Sequence, residues 1–157
     1  VWFRTTMAVG KGVLVQQRDR HGFDGEYMLS VEDGRLDVWA YSHRGRYPPS
    51  LRGAAYVADG EWHHAAFCHV KDWAGLFLDG ALEDQASGWA DQYYRASLRT
   101  FVGGDGRDIF YSGYDDRLFV GEIDYVQLIV LDGTAPVPLP WSRIAGVFTP
   151  PAQAAAA

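Results

Sequence analysis

The chain has 157 residues, a length that suits one domain with one sizeable core. It carries 14 Lys plus Arg against 20 Asp plus Glu, a formal charge of −6, which excludes a phosphate-backbone binder and a module drawn to anionic membranes. Hydrophobic content of 48% with 15% aromatic residues excludes general disorder, and a lone cysteine, Cys68, excludes an internal disulfide.

Val1-Trp2-Phe3-Arg4 reads as a strand. With no leader before it, the chain reads as a segment of a longer polypeptide. Val13-Leu14-Val15-Gln16 is a second strand and Tyr27-Met28-Leu29-Ser30-Val31 a third. Glu32-Asp33-Gly34-Arg35 follows as a hairpin turn, because an Asp-Gly pair tolerates the positive φ values of a primed turn. Leu36 to Tyr41 alternates with period two, as a half-buried strand does. The Asp-Gly device recurs at Asp59-Gly60, before the strand Trp62 to Val70, and at Asp79-Gly80, between Gly75-Leu76-Phe77-Leu78 and Ala81-Leu82-Glu83. Ala90 to Leu98 offers at most a turn or two of helix. Leu118 to Val130 reads as one long strand rich in β-branched and aromatic residues.

Turn signals at short intervals, with no sustained helical period, predict an all-β fold built as an antiparallel two-sheet sandwich. No stretch reaches the ~18 apolar residues of a membrane-spanning helix. Composition shifts after Leu131, with five of the seven prolines between Pro136 and Pro151. Residues 1–133 are therefore expected to form the sandwich and 134–157 a Pro/Ala-rich strap or linker, since proline cannot donate to a ladder.

The succession GEYMLSVEDGRLDVW, VADGEWHHAAFCHV, GLFLDGALED, FVGG and FVGEIDYVQLIVLDG resembles a laminin-G-like domain, and more broadly the concanavalin A-like lectin/glucanase jelly roll. Its most specific part is Asp59-Gly60-Glu61-Trp62-His63-His64 followed by Phe77-Leu78-Asp79-Gly80, with Gly121-x-Ile123-Asp124-x-Val126 as a third element in order. The resemblance implies two curved antiparallel sheets in a jelly roll. It also implies a rim that binds a sugar or a protein, often with calcium.

Glu122-Ile123-Asp124-Tyr125-Val126-Gln127 is similar to the Glu-x-Asp-x-x-Glu strand of retaining β-glucanases. Retaining chemistry needs two carboxyls about 5 Å apart, and here Gln127 replaces the residue that must donate and retake a proton. A non-catalytic version of the strand is the expectation. His63 and His64 are adjacent, so a strand aims them at opposite faces, and His69 lies on the order of 20 Å from His63 along an extended chain. Core or half-buried histidines bonded to backbone are expected, with Trp62 packed between the sheets and Cys68 an inert buried thiol. Gly103-Gly104-Asp105-Gly106 lacks the Lys-Ser/Thr of a phosphate loop and reads as a tight turn.

Acidic residues crowd two loops, Asp19, Asp24 and Glu26 in one and Asp105, Asp108, Asp115 and Asp116 in the other. Calcium takes about six to eight hard oxygens, and Asp24, Asp105 and Asp108 are its candidate ligands; simple solvation is the alternative. Trp89, Tyr93 and Tyr94 stand beside Asp91 and Arg95 in SGWADQYYRAS, and Tyr111 and Tyr114 flank a Ser-Gly pair. Aromatic faces plus carboxylates and amides hold sugars. Trp89, Tyr93, Tyr94 and Tyr111 are therefore candidates for stacking, and Asp91, Arg95 and Asp108 for hydrogen bonding; the same rings would otherwise pin long loops to the sandwich. Trp39 and Tyr41, two apart in a strand, are a third aromatic set that would line a sheet face. The expected role is a non-catalytic recognition module of an extracellular or cell-surface protein, binding a glycan or a protein partner and neither nucleic acid nor membrane. A packing module within a large assembly is the alternative, and a divergent glycoside hydrolase-like domain the second.

Overall fold

The computed structural model describes residues 1–18, 26–41, 48–89, 99–106 and 117–128. These residues hold ten strands: β1 (Trp2–Arg4), β2 (Lys11–Arg18), β3 (Glu26–Glu32), β4 (Arg35–Tyr41), β5 (Leu51–Arg52), β6 (His63–Val70), β7 (Trp73–Leu78), β8 (Ala81–Ser87), β9 (Arg99–Val102) and β10 (Glu122–Ile123). They form two five-stranded sheets, ordered β10-β1-β6-β7-β8 and β5-β4-β3-β2-β9, and every described pairing is antiparallel. The architecture is the expected all-β two-sheet sandwich.

Period two decides which side chains enter the core. Leu36, Val38 and Ala40 of β4, Leu29 and Val31 of β3 and Leu14 and Val15 of β2 meet Ala65 of β6 and Ala74, Leu76 and Leu78 of β7, with Phe3 of β1. A register shift between Val13 and Val15 explains why two adjacent β2 residues both reach this core. The other face of the first sheet carries a smaller apolar cluster, Ala66, Val70, Trp73 and Phe77. Trp73 lies across Gly75, where a Cβ would collide with its ring, and its indole N–H donates to Gln85 Oε1 at 2.9 Å.

Two Asp-Gly corners close hairpins as expected. Asp33 and Gly34 (φ +50° and +71°) join β3 to β4, and Asp79 and Gly80 (φ +48° and +90°) join β7 to β8. Asp59-Gly60 does different work, because β5 and β6 belong to different sheets. There the Asp59 carboxylate accepts the Glu61 N–H (2.9 Å) in an Asx turn, and the Gly60 N–H donates to Thr5 O (2.9 Å).

Two further expectations are corrected. Of the long strand from Leu118, only Glu122–Ile123 is regular among the described residues. Phe119 N–H bonds to Gly103 O beside β9, whereas Trp2 N–H bonds to Tyr125 O and Asp124 N–H to Trp2 O beside β1. The segment thus crosses from one sheet to the other at Gly121 (φ +156°), where any Cβ would strike Arg4 O. Trp62 is not between the sheets; it is half-buried with the Arg4 guanidinium 5.3 Å from its ring centroid, a cation–π contact.

The opposite flank is latched by side chains. Glu83 Oε2 accepts the N–H groups of Ala54 and Ala55 (2.8 and 2.9 Å), and Asp84 Oδ2 accepts that of Arg52 (2.9 Å). Both carboxylates come from β8, at the register shift opposite Leu76 and Phe77.

Candidate functional site

Register places the ends of several strands side by side. In the second sheet Gln17 faces Tyr27, Arg18 faces Arg99 and Glu26 faces Tyr41. In the first sheet Val70 faces Trp73, which faces Ser87. Tyr27 of β3 lies 5.6 Å, ring to ring, from Phe67 of β6, which brings these ends to the same end of the sandwich. The segments 19–25, 42–47 and 90–98 all start and finish there. A fourth joins them: Gly106 N–H donates to Gln16 Oε1 (2.8 Å) and Asp105 pairs with Arg18 (3.3 Å), so the chain enters segment 107–116 over the outer face of β2.

Two sets of side chains mark this end. Trp39 and Tyr41, spaced two apart on β4, point away from the core and stack with centroids 6.4 Å apart and planes at 27°. Beside them runs a buried polar chain on the same outer face. Gln16 Nε2 donates to Glu26 Oε1 (2.9 Å), Arg18 Nη1 lies 3.6 Å from Glu26 and 3.3 Å from Asp105, and Arg117 Nη1 lies 3.3 Å from Asp105. Among the described residues two guanidinium groups face two carboxylates, so their charges offset one another. Gln16, Arg18, Glu26 and Asp105 are each at most 4% exposed.

Several candidates change role. Trp89 is not a stacking surface: it is 0% exposed and belongs to the core. Gly88 at φ +100° turns the chain, the Trp89 N–H bonds to Asp72 O (3.1 Å), and the ring lies 5.3 Å from Phe67 and 5.6 Å from His69. An apolar ring reachable by a tight turn is worth more inside than at the rim. Asp105 does not suit calcium, because two arginines already occupy its carboxylate and a divalent cation beside them would be repelled. Among the described residues no group of three or more His, Cys, Asp or Glu is placed to hold a metal. Asp24, Asp91, Tyr93, Tyr94, Arg95, Asp108 and Tyr111 lie outside the described residues. Gln16, Arg18 and Arg117 were missed by sequence reasoning. The sequence offered little signal for them: Gln16, Gln17 and Arg18 are three polar residues in a row, so alternation does not single out the outer face, and Arg117 stands outside any strand.

The glucanase-like positions are engaged otherwise. Glu122 is exposed and paired with Arg4, and Asp124 is exposed on the segment beside β1. Cys68 is half-buried, and burial pushes its thiol up to about 12, the inert state expected.

The histidines are more varied than expected. His64 is buried against Trp2 (5.1 Å) and burial pushes its pKa down to about 4. His69 is lowered by burial, with Nε2 2.7 Å from Lys71 O. His63 is bonded to carboxylates instead of backbone: Nδ1 lies 2.8 Å from Asp79 Oδ2 and Nε2 lies 3.2 Å from Asp59 Oδ1. Burial opposes its charge, but Asp79 and Asp59 outweigh burial and raise its pKa above the ordinary value.

Residues 1–130 match the laminin G-like family model described as the concanavalin A-like lectin/glucanases superfamily. The chain belongs to that superfamily. Among solved structures, the laminin G-like domain is similar to the mouse laminin alpha1 chain, domains LG4-5, with 21% identity over 74% of this chain and 28% of that one, at a TM-score of 0.56. It is similar to the LG1-3 region of the laminin alpha2 chain, with 15% identity over 76% and 24%, at 0.53. It also resembles the CBM40 of the Ruminococcus gnavus IT-sialidase, bound in that structure to alpha2,6 sialyllactose, with 18% identity over 66% and 62%, at 0.53. The chain therefore spans about a quarter of the two laminin structures. No curated protein matches the sequence.

Proposed function

We propose that this laminin G-like domain is a non-catalytic recognition module of an extracellular or cell-surface protein, binding a glycan or a protein partner at the loop-bearing end. The observation that carries the reading is the stacked Trp39–Tyr41 pair beside the buried Gln16–Glu26–Arg18–Asp105 chain, at the end from which four loop segments leave. Aromatic faces suit sugar C–H groups and apolar protein side chains alike, and a buried polar network holds the strand ends beneath them in a fixed geometry. The candidate ligand groups Asp91, Tyr93, Tyr94, Arg95, Asp108 and Tyr111 belong to two of those segments. The alpha2,6 sialyllactose named for the CBM40 neighbour supports a glycan as the class of partner and nothing narrower.

A glycan array followed by calorimetry tests this reading. Trp39→Ala is expected to weaken binding of the best glycan at least ~tenfold, with the far-ultraviolet spectrum unchanged. An array without hits, or a Trp39→Ala variant that binds normally, refutes it for glycans. A packing module is the second reading, favoured by Val102, Leu118, Val120 and Tyr125, which are 46–65% exposed about the β9 and β10 flank. It predicts that Val120→Asp disturbs association with an adjoining domain and leaves glycan binding intact.

A further inference from the structure

The end of the sandwich that carries Asp59 holds a group the recognition reading does not use. His63 opens β6 with its ring 6.0 Å from Phe3, and both ring nitrogens face carboxylates, Asp79 at 2.8 Å and Asp59 at 3.2 and 3.3 Å. A neutral imidazole carries one N–H and can donate to one of them only. Its second nitrogen then presents a lone pair to a carboxylate. Only the imidazolium serves both.

The two carboxylates are held unequally. Asp79 Oδ1 also accepts the His64 N–H (2.7 Å), and the Asp79 N–H bonds to His64 O (2.8 Å), so Asp79 is locked to the sheet. Asp59 sits in the Asx turn, tied down by the Gly60–Thr5 bond. We propose that His63 is a proton-operated clasp: charged, it pins the Asp59–Gly60 turn to the β7–β8 hairpin corner; neutral, it keeps Asp79 through Nδ1–H and releases Asp59.

Among the described residues the other charged groups near the ring do not compete. From β1, Arg4 is engaged by Glu122 and Trp62. In the turn, Glu61 contributes its backbone N–H to Asp59. His64, next along β6, faces the opposite side and stays neutral well below the ordinary histidine range. The turn borders a cleft lined by Arg4, Thr5, Thr6, Gly60, Gly121 and Glu122, so the clasp sets how firmly one wall of that cleft is held.

Imidazole nitrogen NMR and amide exchange, both followed from pH 5 to 9 on the whole chain, test the proposal. His63 is expected to titrate above its ordinary value, with both nitrogens protonated below that point and only Nδ1 above it. The Gly60 amide, corrected for intrinsic rate, is expected to exchange roughly two- to five-fold faster once His63 is neutral. In Asp59→Asn that pH step disappears while the dispersion of the spectrum is kept. A neutral His63 at pH 5, an Nε2–H tautomer, or Gly60 exchange indifferent to the titration overturns the clasp. So does a step that survives in Asp59→Asn.

Discussion

His64 is 2% exposed, with the Trp2 ring 5.1 Å from its own, and burial pushes its pKa down to about 4 from an unfolded value near 6.5. The unfolded chain therefore takes up the proton first as acid is added. The stability tied to neutral His64 is complete above pH 6.5 and is lost as pH falls from 6.5 towards 4, about 3 kcal/mol. Urea midpoints across that window should fall, and His64→Phe should fall less. His63, one residue away, has the opposite sign. Its folded value is raised, so its contribution is present below pH 6.5 and lost as pH rises through the folded value. Trp89 supplies a third prediction. Because its ring is sealed between Phe67 and His69, Trp89→Ala should cost about 3–5 kcal/mol in urea unfolding. Were Trp89 a rim ring, stability would barely change and only ligand affinity would suffer.

At the scale of elements, the hairpin corners and the β8 latch are the parts whose chemistry is most local. Gly34 holds φ +71° with the Tyr56 ring against it, so Gly34→Ala combines a disfavoured backbone with a collision and should cost more than about 1 kcal/mol in thermal unfolding. Glu83→Ala strips an acceptor from two backbone N–H groups at once and should cost about 1–2 kcal/mol, with Glu83→Gln recovering part of it. The strands β2, β3, β4, β6 and β7 were legible because alternation and Asp-Gly pairs are signals carried within a few residues. The two-residue β5 and the four-residue β9 were not, because their pairing partners lie far along the chain and lend them regularity. The segment after Leu118 misled for the same reason. Its β-branched residues promise a long strand, but Gly121 and the approach of Arg4 O divide it between two sheets. The site was legible in kind, as aromatic residues beside polar ones, and Trp39 and Tyr41 fall where period two puts them. Trp89 was misjudged because composition cannot tell a rim ring from a core ring one tight turn away.

At the scale of the molecule, the sandwich separates its tasks by face and by end. One outer face is apolar around Trp73 and Phe77, and the other is polar around Gln16, Arg18, Glu26 and Asp105. The His63 clasp sits at one end, and the segments 19–25, 42–47 and 90–98 leave from the other. Ladder pairing such as Arg18 with Arg99 or Glu26 with Tyr41 is indifferent to how many residues lie between the paired positions. Closure entropy grows only as the logarithm of loop length, about 0.6 kcal/mol per doubling. Descendants of this chain can therefore lengthen, shorten or rewrite those segments, and so change what they grasp, while the two layers beneath continue to fold from the same contacts.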